Sequence, residues 1–148
     1  MTRMMISARG RYALRMMVDV ARYQGDGHVA LKDIAARQQI SQKYLEQIIP
    51  ALNSAGFLTA VRGQQGGYRL TRSPGEYSLG EILRAAEGEL SSVTCLDSHR
   101  EPCARQADCD ALPVWRELNR IIADYLDSVT LQNVLDQQIP ETTIMTQE

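Results

Sequence analysis

Between Ser41 and Leu70 the apolar positions of this chain change their period. Tyr44, Leu45, Ile48, Ile49 and Leu52 recur at helical spacing and form one face, while Gln42, Lys43, Glu46 and Gln47 point elsewhere. Ser41 stands where an N-cap hydroxyl would accept from the first free amides, and Gly56 where a C′ glycine would end the helix. Phe57 to Val61 is then strand-like, Arg62 to Gly67 (RGQQGG) is a turn, and Tyr68 to Leu70 is the return strand. A shorter helical run, Leu31 to Arg37, lies ahead, with a tight connection over Gln38 to Ile40. Helix, tight turn, second helix and hairpin is the layout of a winged helix-turn-helix, which points to DNA. The same pattern describes a plain helical hairpin with a surface turn, so the motif alone does not decide. Pro50 removes a backbone donor and crowds the carbonyl of Glu46, which predicts a bend in the second helix.

The remaining pattern is mostly helical. Residues 1–6 read as a loose leader. Ser7 to Tyr23 predicts a helix with a broad apolar face of Tyr12, Ala13, Met16, Met17, Val20 and Ala21; Leu14 and Val18 lie off it, so more than one side is covered. Arg9, Arg11 and Arg15 crowd the end where the helix dipole disfavours cations, which suggests phosphate contacts or a solvated face. Gln24 to His28 is a turn, with His28 as a surface group. Ser73 to Tyr77 reads as a linker, and Ser78-Leu-Gly-Glu81 as a capping box opening a short helix to Gly88. Beyond Pro113 a long helix resumes. Trp115, Leu118, Ile122, Tyr125 and Val129 form a seam of average period about 3.5, suited to packing against another helix, here a second copy across a two-fold axis. Thr130 caps a last short helix, Leu131 to Gln138. The fold class is therefore mainly α with a small β-wing. A winged helix-turn-helix head spans 1–77, the cysteine loop and dimerisation helices 78–138, and a disordered tail 139–148.

Charge sharpens this picture. Residues 1–72 carry eleven Lys/Arg against four Asp/Glu, a net +7; residues 73–148 carry five against fourteen, a net −9. The overall −2 hides a polarised molecule whose basic half suits a polyphosphate. Composition, at 44% apolar in 148 residues, permits one cored domain, or a small domain with an appendage. No apolar run approaches the roughly 18–20 residues of a membrane span, and no secretory signal opens the chain, so a cytoplasmic location is expected. No catalytic constellation of histidine, serine or carboxylates stands out, so neither an enzyme nor a small-molecule substrate is implied.

All three cysteines, Cys95, Cys103 and Cys109, fall in the polar stretch 89–111. Their spacing is not that of a zinc finger, which uses close Cys-x-x-Cys pairs. Three thiolates in one polar loop suit an iron–sulfur cluster, which tolerates wide spacings. Thiol redox sensing, or no role, is the alternative.

Gly10-Arg-Tyr-Ala13, Asp33-Ile-Ala35, Tyr44-Leu-Glu-Gln47, Val61-Arg-Gly63, Gly66-Gly-Tyr68 and the loop running into Trp115-Arg116 resemble the Rrf2-type bacterial transcription factors, over about residues 5 to 138. That family includes the iron–sulfur regulators IscR, NsrR and RirA. The resemblance implies a homodimer on a double-stranded DNA operator, with crossed long helices and a two-iron or four-iron cluster on the three cysteines. It implies that Glu46 and Gln47, among Ser41, Gln42, Lys43 and Tyr44, read the major groove, and that Arg62 and Gly63, beside Gln64, enter the minor groove. The chain departs from the family pattern in places. Leu112 stands where IscR has a ligating histidine, and Arg11 where NsrR has an aspartate from the partner subunit. The fourth ligand is thus left to Asp108, Asp110, Glu101, His99 or a small molecule. Lys43 and Gln64 also differ from IscR, so the operator can differ. A cluster-free branch of the family, controlled by thiol redox or by docking a metabolic enzyme, supplies the alternative function.

Overall fold

A computed structural model describes residues 6–142. It contains α1 (Ala8–Tyr23), α2 (Leu31–Gln38), α3 (Gln42–Ser54), β1 (Leu58–Val61), β2 (Gly67–Leu70), α4 (Leu79–Glu87), α5 (Leu112–Ser128) and α6 (Leu131–Asp136). Most of the expected leader and of the expected tail lies outside the described residues.

The helix-turn-helix forms as its sequence dictates. Gln39 takes a left-handed φ of 54° after α2, and Ile40 N–H closes back on Ala35 O at 3.1 Å. Ser41 Oγ accepts from Tyr44 N–H at 3.1 Å and starts α3. At the other end Gly56 takes φ +76°. Its N–H bonds Asn53 O at 2.9 Å and that of Phe57 bonds Leu52 O at 3.0 Å, the paired bonds of a Schellman stop. α3 runs through Pro50 without interruption. Antiparallel β1 and β2 pair from Leu58↔Leu70 to Val61↔Gly67 and form the wing.

α1 is the hub, packing on α2, α3, α4, α6 and β2. Ala13, Met16, Met17 and Val20 meet Ile34, Leu45, Ile48, Leu52, Phe57, Leu70, Ile82 and Leu131 in one core. Each fully buried aliphatic side chain there is worth about 1.5–3 kcal/mol of transfer free energy.

Three expectations are corrected. The stretch Ser73 to Tyr77 is no mere linker. Tyr77 is fully buried in the core; its hydroxyl donates to Phe57 O at 2.9 Å and accepts from Thr71 and Arg72 N–H at 3.0 and 3.1 Å. Val129 does not continue the α5 seam: it follows the helix end, is buried, and accepts from Leu79 N–H at 2.9 Å. With Leu131 N–H on Tyr77 O at 3.0 Å, this pairing fastens the end of α5 to the start of α4. The last helix also stops earlier than expected, at Asp136, where Gln137 turns left-handed. Among the described residues no helix is long and apolar enough to cross a membrane.

Candidate nucleic-acid interface and cysteine segment

α3 buries Leu45, Ile48, Ile49 and Leu52 and turns its other side outward. Gln42, Lys43, Glu46 and Gln47 are exposed, and among the described residues none of these side chains has a polar partner. Lys43 and Glu46, three residues apart, form no ion pair. Tyr44 sits at the edge, half-buried, its ring edge-on to Tyr12 at 5.4 Å. The wing tip is Arg62, Gly63 and Gln64, all exposed. Gly63 takes φ +116°, a conformation side chains rarely adopt, and its carbonyl accepts from Gly66 N–H at 2.9 Å.

The wing leans on the α1–α2 connection, which the sequence pattern did not reveal. Val29 and Tyr68 exchange two backbone bonds of 2.8 Å, an isolated antiparallel bridge on the free edge of β2. Gln24 Oε1 accepts from Leu70 N–H at 2.8 Å, and Arg69 donates to Asp26 O and Gly27 O at 3.0 and 2.7 Å. His28, expected to be a free surface group, places its Nε2 against Gln65 O at the wing tip. The signal available was the short apolar run Val29-Ala-Leu31 ahead of α2.

The basic surface is smaller than the charge count implies. Arg37 makes a two-armed contact with fully buried Asp19, at 3.0 and 2.7 Å, and covers the Tyr23 ring at 4.0 Å. The Asp19 carboxylate holds the Arg37 pKa above its ordinary value. Arg15 is tied to Gln38, and Arg72 to Glu81 and to the faces of Phe57 and Tyr77. Arg9 donates to Ala86 O and Gln47 O. Of the α1 arginines weighed as phosphate contacts, only Arg11 is left without a partner among the described residues. Arg22, Lys32, Lys43 and Arg62 share that freedom.

Cys95 and Cys103 are exposed and Cys109 half-exposed, all as free thiols. Short 3-10 turns at Thr94–Leu96 and Gln106–Asp108 carry the first and precede the last, and Cys109 O accepts from Leu112 N–H at 3.3 Å where α5 begins. His99, Glu101, Asp108 and Asp110 are exposed around them. Among the described residues no three His, Cys, Asp or Glu side chains gather closely enough to hold a metal ion. The donor types fit a thiolate-bound iron–sulfur group, but the three thiols do not stand together.

The family model for Rrf2, an iron-dependent transcriptional regulator, matches residues 6–137. This chain belongs to the Rrf2 family. It is 36% identical over 132 residues to the regulator IscR of Aliivibrio salmonicida, covering 89% of this chain and 77% of that one. The T. potens IscR structure superposes with a TM-score of 0.69 at 37% identity, covering 96% of this chain and 92% of that one. CymR, the global cysteine regulator of B. subtilis, superposes at 0.71 with 34% identity, covering 88% and 95%. The Rrf2 fold and a role in transcription regulation, rather than catalysis, follow from these matches.

Proposed function

We propose that this Rrf2 protein is a cytoplasmic, homodimeric, sequence-specific DNA-binding regulator, a repressor or an activator, whose operator affinity responds to an iron–sulfur cluster on Cys95, Cys103 and Cys109. The observation that carries the DNA reading is the outward side of α3. Polar side chains there stand exposed and unpartnered on a helix whose other face is locked in the core. Residues Gln42, Lys43, Glu46 and Gln47 read base edges in the major groove, Ser41 and Tyr44 flank them, and Arg62 with Gly63 and Gln64 reaches the minor groove.

The dimer reading rests on α5. Trp115, Leu118, Ile122 and Tyr125 stay half-exposed, and Val114 and Ile121 are 59% and 38% exposed. A second copy of the same helix is the partner that an isologous apolar face fits. The cluster reading is supported by three free thiols in one polar segment of a chain whose family model is iron-dependent. A bound cluster would supply a redox-active, oxidant-labile centre. The chain's part is to donate thiolates from a segment strung between the end of α4 and the start of α5. Tied or released, that segment alters the tilt of two heads that must meet half-sites a fixed distance apart.

Similarity to the cysteine regulator CymR, and thiols that stand apart, favour a second reading: a cluster-free regulator controlled by thiol redox or by docking a metabolic enzyme. Anaerobic purification with a visible spectrum, iron and sulfide assays and a DNA titration separates the two. The cluster reading expects coloured, iron- and sulfide-containing protein. Colourless, iron-free protein with full operator affinity establishes the second reading.

A further inference from the structure

The C-terminal end of α4 and the first turn of α1 hold each other. Arg9 Nε donates to Ala86 O at 2.7 Å, satisfying one of the carbonyls that a helix end leaves without an intrahelical donor, at the negative end of the helix dipole. In return Glu87 Oε1 accepts from the amide of Ser7 at 2.5 Å and from its hydroxyl, at the positive end of α1. Gly10 makes room for this: a Cβ there would lie 2.7 Å from the Glu87 carboxyl carbon. The next residue is Gly88, at φ +84°, where the chain leaves α4 for the cysteine segment.

Arg9 also has a second arm. Its other nitrogen donates to the backbone carbonyl of Gln47, in the outward-facing part of α3, at 3.3 Å. That contact falls at a weak point of the helix. Pro50 has no N–H, so the carbonyl of Glu46 lacks its intrahelical donor. Arg9 thus braces α3 one residue beyond that unpaired carbonyl, from a side chain anchored in the last turn before the cysteine segment.

We propose that Arg9 is a positioning residue that couples the cysteine segment to the reading helix. A pull on Gly88 moves Ala86 and Glu87, these move Arg9, and Arg9 resets Gln47 and Glu46 on α3. The proposal rests on the reading of α3 as the base-reading helix and of the cysteine segment as the sensing element. It requires a two-armed planar guanidinium rather than simply a positive charge.

Arg9→Lys and Arg9→Gln test it, in the full-length dimer, on a labelled duplex recovered by binding-site selection with the wild type. Circular dichroism melting first establishes that each variant is folded. Each is then combined with Cys95→Ala in a double-mutant cycle of operator affinity. In the wild-type background the cysteine substitution is expected to change affinity by about five-fold or more, the lower end of ordinary coupling between sites. In both Arg9 backgrounds that effect collapses toward one-fold, with the slope of log affinity against log salt unchanged. If Arg9 contacts phosphate instead, Arg9→Lys restores affinity and Arg9→Gln lowers the slope by about 0.9. That result overturns the proposal. A full cysteine effect persisting in the Arg9 variants overturns the coupling alone. No cysteine effect in the wild type, or no selected duplex, overturns the functional reading and the coupling with it.

Discussion

Arg37 and Arg62 put the same side chain to opposite uses. Arg37 neutralises a carboxylate that is fully buried, whereas Arg62 is exposed at the wing tip with no partner among the described residues. Arg37→Ala should therefore cost about 3 kcal/mol in a denaturant titration, since it leaves the Asp19 charge buried with only Gln38 to answer it. Arg62→Ala should leave the melting curve in place and weaken specific operator binding by about 1–3 kcal/mol, the scale of one base-edge contact. Unchanged gel-shift affinity at moderate salt would remove the wing from the interface. Glu46 is the sharper case, because a carboxylate facing a polyanion is unfavourable unless it selects. It can accept from a cytosine amino group and repel other edges, and no ion pair with Lys43 gives it another occupation. Glu46→Ala should broaden the set of selected sequences more than it weakens the best one. A selection returning the wild-type motif would refute that role. The sequence revealed that the first half of the chain is basic but not which of its cations are free. Arg37 finds Asp19 eighteen residues away, and Arg9 finds Ala86 seventy-seven residues away, and no local pattern encodes either contact.

At the scale of elements, legibility followed the range of the forces that shape each one. The Ser41 cap, the Ser78–Glu81 capping box and the Gly56 stop are closed by bonds within a few residues, so spacing alone exposes them. The apolar periods of α1, α3 and α5 were legible for the same reason. Tyr77 escaped because its partner Phe57 lies twenty residues back, and a single tyrosine between a 3-10 turn and a helix cap carries no period. The sequence pattern describes a two-stranded hairpin, whereas the structure makes it a hairpin braced on Val29. Gly67 is what permits that brace: a Cβ there would lie 2.2 Å from Val29 O, closer than packed atoms approach. Gly67→Ala should therefore push the wing off the α1–α2 connection and lose the two Val29–Tyr68 bonds, at about 1 kcal/mol each. The expected outcome is a modest fall in melting temperature with a larger fall in operator affinity, while the dimer proposed to form through α5 persists in sedimentation. Equal losses from Gly67→Ala and from a core substitution such as Leu52→Ala would mean that the wing does no more than complete the fold.

For the whole molecule, the division of charge sets the basic surface in one half and the thiols in the other, so the proposed sensing has to act across the fold. The three cysteines were legible as a set because they share one polar segment. Their spatial relation was not, since that segment lacks the periodic apolar positions that would fix a backbone, and its 3-10 turns leave two thiols exposed and the third half-exposed. If they serve one cluster, replacing any one with Ala should abolish its charge-transfer absorption, because two thiolates hold such a group poorly. The protein should remain folded and dimeric, since the segment contributes little apolar surface and the α5 face from Trp115 to Tyr125 lies outside it. Operator affinity should shift in all three variants alike, through the ends of α4 and α5 that the segment joins. Three different phenotypes would show that the thiols act separately, as the thiol-redox reading requires. Loss of the dimer in all three would make the cysteines structural, with zinc the natural occupant. Among fourth-ligand candidates Asp108 and Asp110 come first because they flank Cys109, which in turn contacts the first turn of α5 through Leu112. Substituting either should shift the visible spectrum without bleaching it. If neither these nor Glu101→Ala and His99→Ala change it, the fourth position belongs to solvent, a small thiol or the second subunit.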